Sequence, residues 1–511
     1  MNLKKIVVGD GIKDYSNILR VSAVLMLLLM IIDSKNIANH IFALVNIGII
    51  AYTFRDNKEK YFYFSTLLFA IMSFTISIPL GKTLESEQID IYYVYLFIYM
   101  VIFIFRFISS VFKNKKLFEK LNIEKIIFML FIGWVIVSFF IADNKVIAFK
   151  KLILYSIMTS FAIMIINENK SKAEIKLTLK FLSILSIGIV FMGLIEIITG
   201  IHIQPKTSYI MADLDFDKLS FLNRVPTVFF YNPNNYGFVI SLIMIGFIVK
   251  LFFSKGYKEI SFNALIILLA QINLIFSRSR TSWITVVGAV VFIILFFIVT
   301  WEKKLIVKSI LSLLLIMGIF VGLSYVPQLG PYYGKMRELD VVTESNNKHQ
   351  GQSELSKEEE EKEKEKEKAD SIELGGTGSV NVRVTLIVDV LNGVIKDKNY
   401  LGFGLGNTTE YYRSLNNTGG IVDSHNWWIE ILGDFGIVGF ALFFLLYVVL
   451  FFKNAIKFKS RLKENKLFYA LGIVFLVSTA VLVFGPSSVY AFIPFWLINS
   501  LAIAITSFEV Q

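Results

Sequence analysis

Apolar runs of roughly 18 residues or more recur along nearly the whole chain, and each is long enough to cross a bilayer as a single helix. The pattern gives about fourteen such spans. Their centres fall near Leu27, Val45, Leu68, Leu96, Trp134, Leu154, Ile187, Ile243, Ile267, Val290, Leu315, Phe443, Val474 and Trp496. The first two runs are the shortest. Between the spans the polar stretches alternate in character. "RDNKEK", "KNKKLFEKLNIEK", "NENKSKAEIK", "KLFFSKGYKE", "EKK" and "KNAIKFKSRLKENK" all carry Lys or Arg, whereas "GKTLESEQID" and "GPSS" carry few or none. Basic loops stay cytoplasmic, so the pattern predicts an all-α polytopic membrane protein with both termini inside.

Two stretches on the predicted outer side stand apart, about 200–236 and about 327–424. Loops this long are uncommon without a role. The expected organisation is therefore residues 1–325 with about eleven spans, a large extracytoplasmic loop at 326–424, and residues 425–511 with about three spans. Within the loop, the Glu/Lys run at 357–368 reads as a solvated helix or disordered tether. Apolar residues at helical spacing from Val382 to Ile395 predict an amphipathic helix lying over the membrane. The glycines of "GFGLGN" (Gly402, Gly404 and Gly406) permit a tight turn. No strand–turn–helix context surrounds them, so a nucleotide-binding glycine loop is not expected.

Composition agrees: 55% of residues are hydrophobic, 18% charged, and mean hydropathy is +0.64. With no cysteine, disulfides, thiolate metal sites and cysteine nucleophiles are excluded. The net charge of +11 lies in short loops, where anionic lipid and the orientation rule account for it, so no nucleic-acid partner is expected. The basic N-terminus has no small-residue cleavage site after its first apolar run, which reads as a retained span. Heavy use of Phe (48 residues), Ile, Lys and Asn fits an AT-rich bacterial genome.

Chemistry-bearing groups are few. Arg224 opens "RVPTVFFYNPNNYGF", Arg278 and Arg280 lie in "FSRSRTSWI", and Arg383 starts the external helix. These outward arginines run against the orientation trend, and a guanidinium is a planar, permanently charged fork suited to phosphate oxygens. The alternative is interfacial snorkelling, or pairing with an acid such as Glu196. His425, in "DSHNWWIEILGDFGIVGF", is one of four histidines and has a pKa suited to general-base work. It reads equally as an interfacial histidine in an aromatic belt with Trp427 and Trp428. No second ligand sits at metal-binding spacing, so no metal is expected. "DLDFD" at 213–217 reads as a solvated acidic loop, the alternative being the acidic motif of an outward-facing, metal-dependent glycosyltransferase fed by lipid-linked sugars.

Four patterns in order resemble the O-antigen ligase and polymerase superfamily of bacterial membrane proteins. They are the arginine followed by Asn-Pro-Asn in "RVPTVFFYNPNNYGF", "SRTSWI", "NVRVTLIVDVL" followed by "YLGFGLGN", and the His-Asn signature with trailing glycines in "SHNWWIEILGDFGIVGF". The resemblance implies a GT-C-like, metal-independent, inverting glycosyltransferase of the bacterial cytoplasmic membrane, with an extracytoplasmic site and no cofactor. It would polymerise or transfer an undecaprenyl-pyrophosphate-linked glycan to a glycan or lipid-glycan acceptor during surface-polysaccharide synthesis. His425 would be the base; Arg224 and Arg280 would hold the pyrophosphate, Arg383 would bind donor phosphate or the loop itself, and Arg278 would join the substrate-binding set. Asn234 would order the Arg224 turn, and Asn426 would complete the His-Asn pair at the substrate. A flippase and a chain-length regulator would act in the same pathway. The Glu/Lys run and about two extra spans depart from the family's pattern. The competing reading, a lipid-linked oligosaccharide flippase, expects symmetric halves with matching broken segments, and the single long loop argues against it.

Overall fold

A computed structural model describes residues 48, 58–71, 77–79, 88–113, 122–202, 224–230, 232–325, 374–375, 379–460, 465–486 and 488–507. The expected spans at Leu27 and Val45, the "DLDFD" loop, His40, His349 and the Glu/Lys run lie outside these residues. Every other predicted span centre falls inside a helix: α1 (Lys58–Ile71), α2 (Ile91–Lys113), α3 (Ile123–Ile141), α4 (Lys145–Glu168), α5 (Lys172–Thr199), α6 (Pro233–Phe253), α7 (Tyr257–Ser277), α8 (Arg280–Val299) and α9 (Lys303–Ser324) come first. Two short helices, α10 (Ser379–Leu391) and α11 (Thr408–Leu415), follow, then α12 (Trp427–Ser460), α13 (Lys466–Leu482) and α14 (Ile493–Ser507). Among the described residues, nine helices are long and apolar enough to cross a membrane. α13 and α14 are shorter, at 17 and 15 residues, yet both are buried along most of their length. The protein is thus a helical, polytopic membrane protein. One small exception to the all-helical pattern is an antiparallel pairing of Ser77–Pro79 with Gln88–Asp90.

Helix starts are set by local chemistry. Asn144 accepts from the Ile147 N–H at 3.2 Å to begin α4. Ser171 and Glu174 form a reciprocal capping box at α5, and Asn232 accepts from the Asn235 N–H at 2.9 Å ahead of Pro233 at α6. Each cap satisfies backbone donors that the first turn leaves open. α6 is buried on nearly every side and forms the centre of the bundle, whereas α2 and α9 present mostly exposed apolar faces. A water-exposed face of that composition would be a severe liability, and in a bilayer it is the lipid contact.

The two ends of the bundle differ. At one end Lys60 pairs with Glu168 at 2.8 Å and Glu174 at 3.2 Å, Lys453 with Glu124 at 2.5 Å, and Lys466 with Glu302. At the other end sit the turns that carry the sequence motifs, the short helices α10 and α11, and the connection between α13 and α14. Inside the bundle, polar side chains satisfy one another: Tyr236 donates to Asn273 at 2.7 Å and Asn454 donates to Thr506 at 2.6 Å. Hydrocarbon offers no substitute partner for such groups.

Candidate active site

α12 explains the trailing glycines. Gly436 has φ 61° and ψ −163°, so the helix breaks there. A break inside a span frees backbone groups that need partners. The Phe403 N–H donates to the Gly433 carbonyl at 2.7 Å, Ile437 donates to the Tyr400 carbonyl at 2.9 Å, and the Trp134 indole donates to the Phe435 carbonyl at 2.8 Å. The glycine turn at 402–406 and α3 therefore fill the gap. The fit is backbone on backbone: a Cβ on Gly436 would lie 2.2 Å from the Tyr400 carbonyl oxygen, and one on Gly404 would lie 2.3 Å from Ala142. Gly402, Gly404 and Gly406 all have positive φ, as the sequence predicted for a tight turn.

Asp434 fastens the same turn. It accepts from the Gly406 N–H at 2.8 Å, the Thr408 N–H at 3.1 Å and the Thr408 hydroxyl at 2.6 Å. Glu430, one turn nearer the helix start, meets Lys151 at 3.3 Å and accepts from Ser488 at 2.6 Å. The Lys151 ammonium lies 3.3 Å from the centre of the Tyr490 ring. Buried charges persist only when paired in this way. These residues were missed by sequence reasoning; their signal was an acidic pair inside an apolar run, at helical spacing of four.

α10 differs from its expected role. Its apolar stripe of Val382, Leu386 and Val390, continued by Val394 in the π-helical turn Asn392–Lys396, packs on Tyr412, Ile429 and Leu432. The face expected to lie on the membrane is therefore used against α11 and α12. The tryptophans also differ from expectation. Trp427 is 1% exposed, packed among Tyr155, Phe443 and Phe495, and Trp428 donates its indole N–H to the Ala480 carbonyl at 3.0 Å. They anchor the helix start in the core rather than in an aromatic belt.

His425 sits just before α12 in the left-handed backbone region, at φ 48°. Asn426 begins the helix, its side-chain oxygen accepting from the Trp428 N–H at 3.1 Å. His425 Nδ1 is buried and has no hydrogen-bond partner among the described residues. Burial pushes its pKa below the usual imidazole value, the Arg383 guanidinium pushes it further down, and Asp423 opposes them. Those two predicted residues are therefore close enough to act on each other electrostatically. The neutral, proton-accepting imidazole persists below the usual pKa of about 6.5. Replacing Arg383 by glutamine removes one lowering influence, so the His425 titration should move to higher pH. Histidine-labelled NMR checks this, and an unmoved midpoint would remove Arg383 from the imidazole's surroundings. In linkage terms the unfolded chain takes up this proton first as pH falls. Stability from this group therefore declines between the usual value and the depressed one.

The arginines lie on neighbouring turns. Arg278 ends α7 with φ 55°, and Arg280 is the first residue of α8 after Ser279. Arg224 is exposed beside a buried turn whose Thr227 and Val228 N–H groups both donate to Glu196, at 2.8 and 2.9 Å. Glu196 and the Asn232 cap order this turn; no hydrogen bond of Asn234 does so among the described residues. Among the described residues six non-glycine residues have positive φ, and three of them, Val228, Arg278 and His425, lie in motif turns; Trp301, Lys398 and Asn416 lie elsewhere. Such strain persists only where surrounding packing over-determines it.

The segment between α13 and α14 ties these turns together. The Trp427 N–H approaches the Val483 carbonyl at 3.4 Å, and a Cβ on Gly485 would lie 3.7 Å from the Thr281 Cβ, next to Arg280. Phe492 packs on Phe230 and Phe238, with ring centres at 6.5 and 5.1 Å. A Cβ on Gly237 of α6 would meet Ser279 at 2.6 Å, so the Arg224 and Arg280 turns are held against each other as well. His425 with Arg383, and the Arg224 and Arg278–Arg280 turns, thus occupy one end of the bundle around residues 483–486 and 488–492.

Fold and site together define a helical membrane protein with a cationic, histidine-bearing end. Residues 264–444 match the family model described as O-antigen ligase, a stretch that runs from α7 into α12 and includes Arg278, Arg280, Arg383, the glycine turn and His425. The match supports the resemblance to the O-antigen ligase and polymerase superfamily; Arg224 precedes the matched stretch. No curated protein matches the chain.

Proposed function

We propose that this protein is an inverting, metal-independent glycosyltransferase that moves a glycan from a polyprenyl pyrophosphate to a sugar hydroxyl on the extracytoplasmic side. The observation that carries the reading is His425, on a left-handed turn within electrostatic range of Arg383, at the same end as the Arg224 and Arg280 turns. The acceptor oxygen attacks the anomeric carbon as the bond from that carbon to the pyrophosphate oxygen breaks. The electron pair leaves on the pyrophosphate, and His425 takes the acceptor proton. Prepositioned guanidinium groups stabilise the charge that the leaving group gains. Arg224 and Arg280 would contact the pyrophosphate, Arg278 and Arg383 would support that field, and Asn426 would set the register of the His425 turn.

The lysine-bearing loops favour the opposite end as cytoplasmic, which puts the motif end and both long loops outside. No nucleotide is required because the pyrophosphate ester is already activated. Purified protein given an undecaprenyl-pyrophosphate oligosaccharide and an acceptor, with metal chelated, should release polyprenyl pyrophosphate as glycan is transferred. Arg280→Ala should lower kcat about 10²–10³-fold, the usual scale for losing one group that stabilises developing negative charge. Wild-type-like turnover in that variant would remove Arg280 from the leaving-group site. Failure of the native protein to release any polyprenyl pyrophosphate would contradict the reaction itself.

A further inference from the structure

The apolar stripe of α10 is consumed by protein contacts, yet the segment that follows it leaves a second apolar set uncovered. Ile395 is 50% exposed, Tyr400 48% and Leu401 49%. Such residues in a solvated loop would be unfavourable at roughly 25 cal/mol per Å² of apolar surface. Their position gives the reason. The Tyr400 carbonyl accepts from the Ile437 N–H at 2.9 Å, so residues 400–403 run alongside the break in α12. Immediately beyond that break, Ile437 and Val438 are also exposed, at the start of a stretch that faces lipid. The loop's apolar residues therefore continue the lipid-facing surface of α12 outward.

Charge fits the same occupant. Lys396 and Lys398 are exposed on either side of Asp397, within a few residues of the apolar set. Long cationic side chains beside apolar residues suit the bilayer interface, where the stem lies against hydrocarbon and the ammonium reaches phosphate. Tyr400 has the amphipathic ring favoured at that depth.

We propose that residues 395–401 form a leaflet anchor: Ile395, Tyr400 and Leu401 insert into the outer boundary of the phospholipid bilayer, while Lys396 and Lys398 meet headgroup phosphates. The inference is independent of the transferase reading. Its consequence is positional: the anchor joins α10, which carries Arg383, to the glycine turn, so the bilayer surface sets the height of that helix.

The chain has no native cysteine, so single Ile395→Cys and Leu401→Cys variants of the full protein can each be spin-labelled in nanodiscs. Ser414→Cys, on the exposed face of the last turn of α11, serves as the aqueous reference. Labels at 395 and 401 should collide strongly with oxygen, and their collisions with a water-soluble nickel chelate should be several-fold fewer than at 414. Nickel accessibility equal to that at 414 overturns the proposal. Low accessibility to both reagents, with spin–spin broadening, would indicate a second copy of the chain and overturn it too. Two independent positions guard against local distortion by either label.

Discussion

Replacing His425 by alanine should lower glycan transfer about 10²–10⁴-fold, the range that positioned general bases contribute. That loss equals about 3–5 kcal/mol of transition-state stabilisation. The expectation rests on geometry first: the imidazole precedes α12 on a left-handed turn, with its pKa held down by burial and by Arg383. A neutral imidazole is available as a base throughout the neutral range. Alanine at that φ carries its own backbone penalty, so asparagine is the better control because it tolerates the left-handed region. His425→Asn should keep expression and thermal stability near those of the native protein and still lose turnover. Near-native activity in either variant would remove the imidazole from proton transfer.

The second large effect concerns assembly of the site rather than its chemistry. Gly404→Val should destabilise the docked loop by about 2–5 kcal/mol, combining left-handed backbone strain with overpacking. A Cβ at this position, at φ 85°, would lie 2.3 Å from the Ala142 backbone nitrogen and Cα, where neither atom can yield cheaply. Loss of this contact would release residues 379–425 from α3 and α12, and Arg383 with them. Limited proteolysis should cut that segment faster in the variant, and the Tm in detergent should fall. Gly419→Val is the matched comparison. Its φ is 61°, but nothing lies within 4 Å of its Cβ, so it should show backbone strain alone. Equal behaviour of the two variants would mean that the glycine turn is not a docking surface.

The contrast between these residues marks what could be read from sequence. Spans were legible because hydrocarbon imposes length and composition on each helix separately. The glycine turn was legible as a turn, but its partner was not: Gly404 meets Ala142, and Trp134 serves Phe435, across separations that no local period encodes. The stripe of α10 was visible as amphipathic, yet periodicity cannot tell a protein face from a lipid face. Trp427 and Trp428 looked interfacial because they border a polar stretch, whereas tertiary packing buries Trp427 and half-buries Trp428. Lys151, Glu430 and Ser488 come from three separate elements, so only the folded chain brings them together. Arginines and His425 stood out because charge is scarce here; that scarcity identified them individually but said nothing of their mutual placement.

The central claim is that a diphosphate binds at the end of the bundle where the Arg224 and Arg280 turns and His425 lie around residues 483–486 and 488–492. Cryo-electron microscopy of the protein with a non-transferable polyprenyl-pyrophosphate glycan analogue tests it most directly. The account predicts phosphate density within hydrogen-bonding reach of Arg280 and Arg224, with the anomeric carbon facing the His425 side of the cleft. Density instead beside the Lys60, Lys453 and Lys466 pairs at the other end, or far from His425, would contradict it.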